Sequence, residues 1–315
     1  MKVAKEDRIE LALHVCHLYY EDSLSQNEIA KKLNLSRPTI SRLLQFALDQ
    51  GLVKIEIIDP LKSLDQLASQ IEEKYQLKKV IITYDATDNS HIINEKLGKA
   101  TTAYLDEIVE DHDSIGISWG HTLEAVADQL KPSDRSDISV VQLKGSVPVS
   151  DMNNYAGDIN TKFGNAFHTN TLNLPLPVIF DDAITKDIVL KDRFVHMLIE
   201  AGINTNIALF TSGTVRDDAM LFNLGYLNPD EIKRLQKNAV GDIISRFLAP
   251  TGEIADADIN ARTVAVPLET LRNKKYSILI SGSKRKVMSM HSALIGGYAN
   301  VLVTDSQSAA TLLKL

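Results

Sequence analysis

The chain has 315 residues, enough for two or more domains and a sizeable core, and its 44% hydrophobic and 24% charged residues are ordinary for a globular protein. One cysteine, Cys16, excludes an intrachain disulfide framework, and no apolar run approaches the ~20 residues needed to span a bilayer. The N-terminal MKVAKEDRIELALHV lacks the apolar core of a signal peptide, so a cytoplasmic location is expected. The net charge of −7 opposes nucleic-acid binding only as an average. Residues 31–54 carry Lys31, Lys32, Arg37, Arg42 and Lys54 against Asp49 alone.

In chain order, DRIELALHVCHLYY at 7–20 has mostly helical apolar spacing. Ser25 and Glu28 then spell a capping box, predicting a helix QNEIAKKL that buries Ile29, Ala30 and Leu33. Asn34-Leu35 turns the chain, Ser36 caps the next helix, and Pro38 stands in its first turn. That helix, RPTISRLLQFALDQ, buries Ile40, Leu43, Leu44 and Ala47, and Gly51 ends it. The alternating LVKIEII suits the strand of a wing. Paired amphipathic helices also occur in proteins that never touch DNA. The outward face favours DNA here: Ser36, Arg37, Thr39, Ser41, Arg42 and Gln45 are short polar and cationic groups suited to base edges and phosphates. Residues 1–58 are therefore expected to form a winged helix-turn-helix.

Residues 59–76, centred on PLKSLDQLASQIEEKYQ, place Leu61, Leu64, Leu67, Ala68, Ile71 and Tyr75 on one helical stripe. The stripe serves either to dock the helix on the next domain or as a dimer seam, since helix-turn-helix proteins commonly bind two half-sites as dimers.

From residue 77 to 315, short apolar runs alternate with helical stretches. VIITY (80–84), SIGIS (114–118), SVVQL (139–143), NIALF (206–210), SILIS (277–281) and NVLVT (300–304) predict a mostly parallel, doubly wound α/β sheet. Ligands bind such sheets beyond the carboxyl ends of the strands. Three loops there share small hydroxyl and glycine residues: Gly120, His121 and Thr122; Gly213 and Thr214; Gly282, Ser283 and Lys286. Backbone N–H groups and helix N-termini in such loops favour an anion, so a phosphorylated small molecule is expected. No nucleotide cofactor is expected, because neither phosphate-binding nucleotide fingerprint is present. The scattered histidines predict no metal site.

Lys144 ends an apolar strand. It is a snorkelling lysine, a phosphate contact, or a desolvated amine able to form a Schiff base with an aldehyde. Asp242, in AVGDIISRF, reads as lying just inside a helix where it can bind a sugar hydroxyl, with Arg246 one turn on to pair with it or with phosphate.

The ordered set NEIAKKLNLSRPTISRLLQFALDQGLVKIEIIDP, SIGISWGHTL, SVVQLKG, LPLPVIFD, NIALFTSGTVRDDAMLFNLGY, AVGDIISRF and SILISGSKRKVMSMHSALIGGYANVLVTD resembles the SorC family of sugar-binding transcriptional regulators. The resemblance runs nearly end to end. It implies an effector domain with the fold of sugar-phosphate isomerases and deaminases, and an oligomeric repressor that binds operator DNA and is released by a phosphorylated sugar. It also implies a phosphate loop at Gly120, His121 and Thr122 with Lys286, and a sugar-contacting acid at Asp242. Lys144 in this family context implies an aldehyde effector of the deoxyribose 5-phosphate type. His121 stands where a second threonine is typical, and Gly145-Ser146 replaces a Gly-Gly pair. A sugar-phosphate isomerase, deaminase or aldolase with an accessory N-terminal domain is the competing expectation, although no general base presents itself.

Overall fold

The computed structural model describes residues 3–55, 60–85, 89–147 and 153–315, which divide into two compact units, Met1–Asp59 and Pro60–Leu315. The first unit holds helices α1 (Val3–Cys16), α2 (Gln26–Leu33) and α3 (Arg37–Asp49). The Ser25–Glu28 capping box is formed in both directions, satisfying two free N–H groups at the start of α2. Asn34 takes a left-handed conformation (φ 51°), which turns the chain sharply enough for Ser36 to cap α3 through the Thr39 N–H. Ala12, Val15, Ile29, Ile40, Leu43, Leu44 and Ala47 form one buried cluster, as helical periodicity requires. Residues 51–55 carry no strand, and the remainder of the expected wing strand, 56–58, lies outside the described residues.

The second unit opens with α4 (Pro60–Tyr75), β1 (Lys79–Thr83), α5 (Ser90–Ile108), β2 (Ser114–Ile117), α6 (His121–Asp128) and β3 (Ser139–Gln142). It continues with α7 (Ala156–Ala166), α8 (Ala183–Leu190), α9 (Arg193–Ile203), β4 (Ile207–Phe210), α10 (Met220–Asn223) and α11 (Pro229–Asn238). A hairpin of β5 (Gly241–Ile243) and β6 (Arg246–Leu248) precedes α12 (Ala257–Arg262) and α13 (Leu268–Arg272). The chain closes with β7 (Tyr276–Ile280), α14 (Val287–Ile295), β8 (Val301–Asp305) and α15 (Ser306–Leu312).

The main sheet is parallel throughout, in the order β1-β8-β7-β4-β2-β3. Successive side chains on a strand point to opposite faces, and here both faces are covered. Ile207 and Leu209 of β4 enter one apolar cluster, while Ala208 and Phe210 enter the other. Val301 and Val303 of β8 divide from Leu302 in the same way. Each strand is thus a continuous apolar run, which is why all six were readable from sequence. The stripe on α4 is used within its own unit: Ile71 is buried, and Leu67, Ala68 and Tyr75 pack beside it against β1 and α15. Tyr75 also bonds to His291 Nδ1 of α14 (2.7 Å) and donates to the Leu312 carbonyl (3.2 Å).

The strand order reverses at β2. The chain leaving β2 crosses to β3 on one side, whereas the chain leaving β4 crosses away on the other, toward β7. A crevice must open above the carboxyl ends of β2 and β4, between diverging connections.

Candidate functional site

That crevice is a cavity of about 920 Å³. Each of the three loops anticipated from sequence reaches it: Gly120, His121 and Thr122 after β2, Gly213 and Thr214 after β4, and Gly282, Ser283 and Lys286 after β7. Lys144, just beyond β3, and Asp242, on β5, also line it. All ten residues singled out for an effector therefore share one space.

Local backbone demands explain several of these identities. Gly120 has φ 120°, a conformation that side chains disfavour, and it releases the chain directly into α6. A Cβ on Gly213 would collide with the Asp242 carboxylate, so a larger residue there would displace that side chain. Ser212 and Ser281 bond through their hydroxyls at 2.7 Å, tying the β4 loop to the β7 loop. Asp305 accepts from the Ser283 N–H at 2.8 Å and shapes the turn before α14.

Lys144 is 4% exposed although it carries an amine. Its Nζ lies 3.4 Å from the centre of the Trp119 indole ring and donates to Ser245 Oγ at 3.1 Å. The parallel register makes this meeting inevitable: Ile117 pairs with Gln142, so two residues further on Trp119 stands level with Lys144. Burial pushes the Lys144 amine down to about 8, partly opposed by the negative charge of Asp242. Lys286 is pushed down to about 8 for the same reasons. Asp242 moves the other way: burial raises its carboxyl, while Lys144, the Ser245 N–H and Lys286 pull it back. Chemically, the site offers cations and helix-opening loops for an oxyanion, a buried carboxyl for hydroxyl groups, and an amine that is readily deprotonated.

Two sequence readings are corrected. Asp242 is on a strand, β5, rather than inside a helix. The segment AVGDIISRF turns back on itself through Ile244-Ser245, where a β-branched residue stands in place of the usual Asn or Gly. Arg246 pairs with neither Asp242 nor the cavity. Its guanidinium donates to the carbonyls of Asn260, Ala265 and Val266 and to the Asn260 side chain.

Other contributors went unassigned in the sequence. Trp119 is the only tryptophan of the chain and lies within a loop already singled out, which was the available signal. Asn94 of α5 accepts from Thr122 Oγ1 at 3.1 Å, and Tyr155 packs beside His121 with ring centres 4.9 Å apart. Neither carried a readable signal. Ser245 had none either.

In the first unit, Ser36, Arg37, Ser41, Arg42 and Gln45 are exposed along α3, and Thr39 is half-buried with its hydroxyl 2.8 Å from that of Ser36. Arg42 Nε donates to the Pro38 carbonyl at 3.2 Å, which leaves the rest of its guanidinium facing outward. Among the described residues no group of three or more metal-binding side chains occurs, and no helix is long and apolar enough to cross a membrane.

A family model for a sugar-binding domain matches residues 59–314, and one for winged helix-turn-helix DNA-binding matches residues 15–54. The deoxyribonucleoside regulator of Bacillus subtilis (strain 168) is 45% identical over 308 residues, which cover 98% of either chain. The sorbitol operon regulator of Klebsiella pneumoniae is 27% identical over 326 residues, 98% of this chain and 99% of the relative. The crystal structure of the full-length sorbitol operon regulator SorC from Klebsiella pneumoniae superimposes with a TM-score of 0.74 at 25% identity, covering 97% of this chain and 98% of that one. With helix-turn-helix, parallel sheet and sugar-binding domain matched in one order along nearly the whole length, the chain belongs to the SorC family of DNA-binding, sugar-binding transcriptional regulators.

Proposed function

We propose that this regulator represses a deoxyribonucleoside or related sugar operon and leaves its operator when deoxyribose 5-phosphate occupies the cavity and forms a Schiff base with Lys144. The observation that carries this reading is the Lys144 amine, buried at a strand end between the Trp119 ring and Ser245 in a cavity also lined by Lys286. Burial lowers Lys144 and Lys286 alike, and what sets Lys144 apart is its seat at a strand end against an aromatic face and a hydroxyl, where a neutral amine can be held. The neutral amine adds to the C1 aldehyde of the open-chain sugar, and loss of one water from the carbinolamine gives the imine. The 5-phosphate is then placed on the loop at Gly120, His121 and Thr122 with Lys286, and sugar hydroxyls on Asp242. The relative named for deoxyribonucleosides supports this effector class.

Release requires the sugar phosphate to bind one arrangement of the protein better than the DNA-bound one. The working form is a homo-oligomer, a dimer or tetramer, because helix-turn-helix proteins commonly read two half-sites. Residues 1–58 bind DNA, 59–76 connect, and 77–315 sense the sugar.

Borohydride reduction in the presence of deoxyribose 5-phosphate should leave Lys144 heavier by the sugar phosphate less one oxygen atom, as read by peptide mass spectrometry. In parallel, a gel shift on the gene's own upstream DNA should lose the complex with that sugar and not with ribose 5-phosphate or glucosamine 6-phosphate. Absence of an adduct at Lys144 sinks the covalent reading. Repeated turnover of any of these three sugars would make the protein an enzyme instead; none is expected.

A further inference from the structure

Ile243 and Arg246 face each other across the β5–β6 hairpin, so Ile244 and Ser245 form a two-residue loop. Both have positive φ, 42° and 66°. Asn-Gly is the usual occupant of such a turn, and a branched isoleucine there is strained. Both residues are also buried, at 1% and 0% exposure, so the turn is not a surface accident. Strain of this kind persists only where the surroundings impose it, and it gathers at functional sites. The turn does one visible thing for the cavity. It carries the Ser245 hydroxyl to 3.1 Å from Lys144 Nζ, and the Ser245 N–H to 3.1 Å from the Asp242 carboxylate.

We propose that Ser245 is a positioning residue for Lys144: the left-handed turn holds its hydroxyl as the acceptor that pins one amine N–H, opposite the Trp119 ring, and so aims the amine at the sugar carbonyl. The proposal deepens the Schiff-base reading and rests on it for its chemical purpose. When Lys144 is neutral and donates one N–H to Ser245 Oγ, that bond leaves the nitrogen lone pair unused. The other charged or titratable groups lining that space include Asp242, Lys286, Arg285, Asp218, His121 and Glu124. None of these donates to or accepts from Lys144 Nζ among the described hydrogen bonds, whereas Ser245 does.

The test compares wild-type full-length protein with Ser245→Ala and Ser245→Gly. Alanine keeps the side-chain demand on the backbone at 245 and removes the hydroxyl; glycine removes both at that position and is expected to fold at least as well. Competitive labelling with acetic anhydride from about pH 6 to about pH 10, read at Lys144 by peptide mass spectrometry, gives the amine's midpoint without any sugar. Loss of an acceptor disfavours the charged amine, so both variants should lower the midpoint by about one pH unit. Above the midpoint, borohydride trapping with deoxyribose 5-phosphate should slow at least about tenfold in both, because the amine is no longer aimed; one factor of ten is about 1.4 kcal/mol.

An unchanged labelling midpoint in both variants overturns the proposal. So does an effect confined to Ser245→Gly, the variant that also frees the backbone, which would assign it to the turn's conformation rather than to the hydroxyl. If wild-type protein forms no adduct at all, the Schiff-base reading fails, and the labelling midpoint still decides whether Ser245 holds the amine.

Discussion

Lys144 is not the only lysine buried in this chain, and the contrast with Lys274 shows what marks a site. Lys274 is 5% exposed, and its amine donates to the carbonyls of Gly202 (3.1 Å) and Ile203 (2.6 Å) and to Thr205 Oγ1 (2.9 Å). It closes the carboxyl end of α9, where carbonyl groups lack helical partners. Burial pushes it down to about 8, the same value as Lys144, yet all its donors are spent on its own fold. The lowered value alone therefore carries no functional meaning; the cavity does. It carries a stability meaning instead. In the unfolded chain this lysine titrates near its ordinary value, above the folded one, so between about pH 8 and about pH 10 the unfolded state holds more protons. Stability must rise with pH across that window, by at most about 1.4 kcal/mol per unit from this group, and the penalty is fully present below it. Lys274→Met should remove that share of the slope while costing about 2 kcal/mol or more at neutral pH, because three acceptors are left without their donor. Urea unfolding near pH 7.5 and near pH 9.5 reads both effects. A slope unchanged from wild type would refute the assignment.

Helix α6 carries Gly120, His121 and Thr122 to the cavity, and its placement depends on how closely α5 approaches it. A Cβ on Gly98 of α5 would run into the backbone carbonyl of Ala125 on α6, which cannot rotate away. Gly98→Ala should therefore force the helices apart, destabilise the unit by about 2 kcal/mol or more, and weaken sugar-phosphate binding even though residue 98 touches no ligand. Quenching of Trp119, the sole tryptophan, reports that binding, and a urea midpoint reports stability; wild-type values for both would show that the contact is not limiting. The same elements show what a sequence can and cannot disclose. The six main strands were legible because each is an unbroken apolar run, and the loops after β2, β4 and β7 because glycines and serines gather there. Hairpin β5–β6 was not. Its Ile-Ser turn puts a branched residue where Asn or Gly is usual and is held by Lys144 and Asp242, so the segment reads as helix in the sequence. The pairing of Trp119 with Lys144 was equally hidden, being a product of β2–β3 register rather than of spacing along the chain.

A chain of net charge −7 that binds DNA needs a local excess of cations, and residues 31–54 of the helix-turn-helix supply one. Lys31, Lys32, Arg37, Arg42 and Lys54 are all exposed there, with Asp49 the acid among residues 31–54. The remaining residues carry the net negative charge, so affinity should be steeply salt-dependent and should draw chiefly on this patch. The two arginines of α3 are expected to divide the work. Arg37, at the amino end of the helix and free of described hydrogen bonds, suits a backbone phosphate. Arg42, one turn further and held at Nε by the Pro38 carbonyl, presents a preorganised fork suited to a guanine edge. Arg37→Ala should then weaken binding to operator and unrelated DNA alike, and flatten the plot of log affinity against log salt by about 0.9. Arg42→Ala should instead cost about 1–3 kcal/mol on the operator only, with the salt slope nearly kept. Salt-titrated gel shifts of the two variants on operator and scrambled DNA separate these outcomes, and a slope change in Arg42→Ala with none in Arg37→Ala would reverse the assignment. On the proposed release by a sugar phosphate, the same titration with deoxyribose 5-phosphate present should lower operator affinity in both variants by the wild-type factor, neither arginine belonging to the cavity.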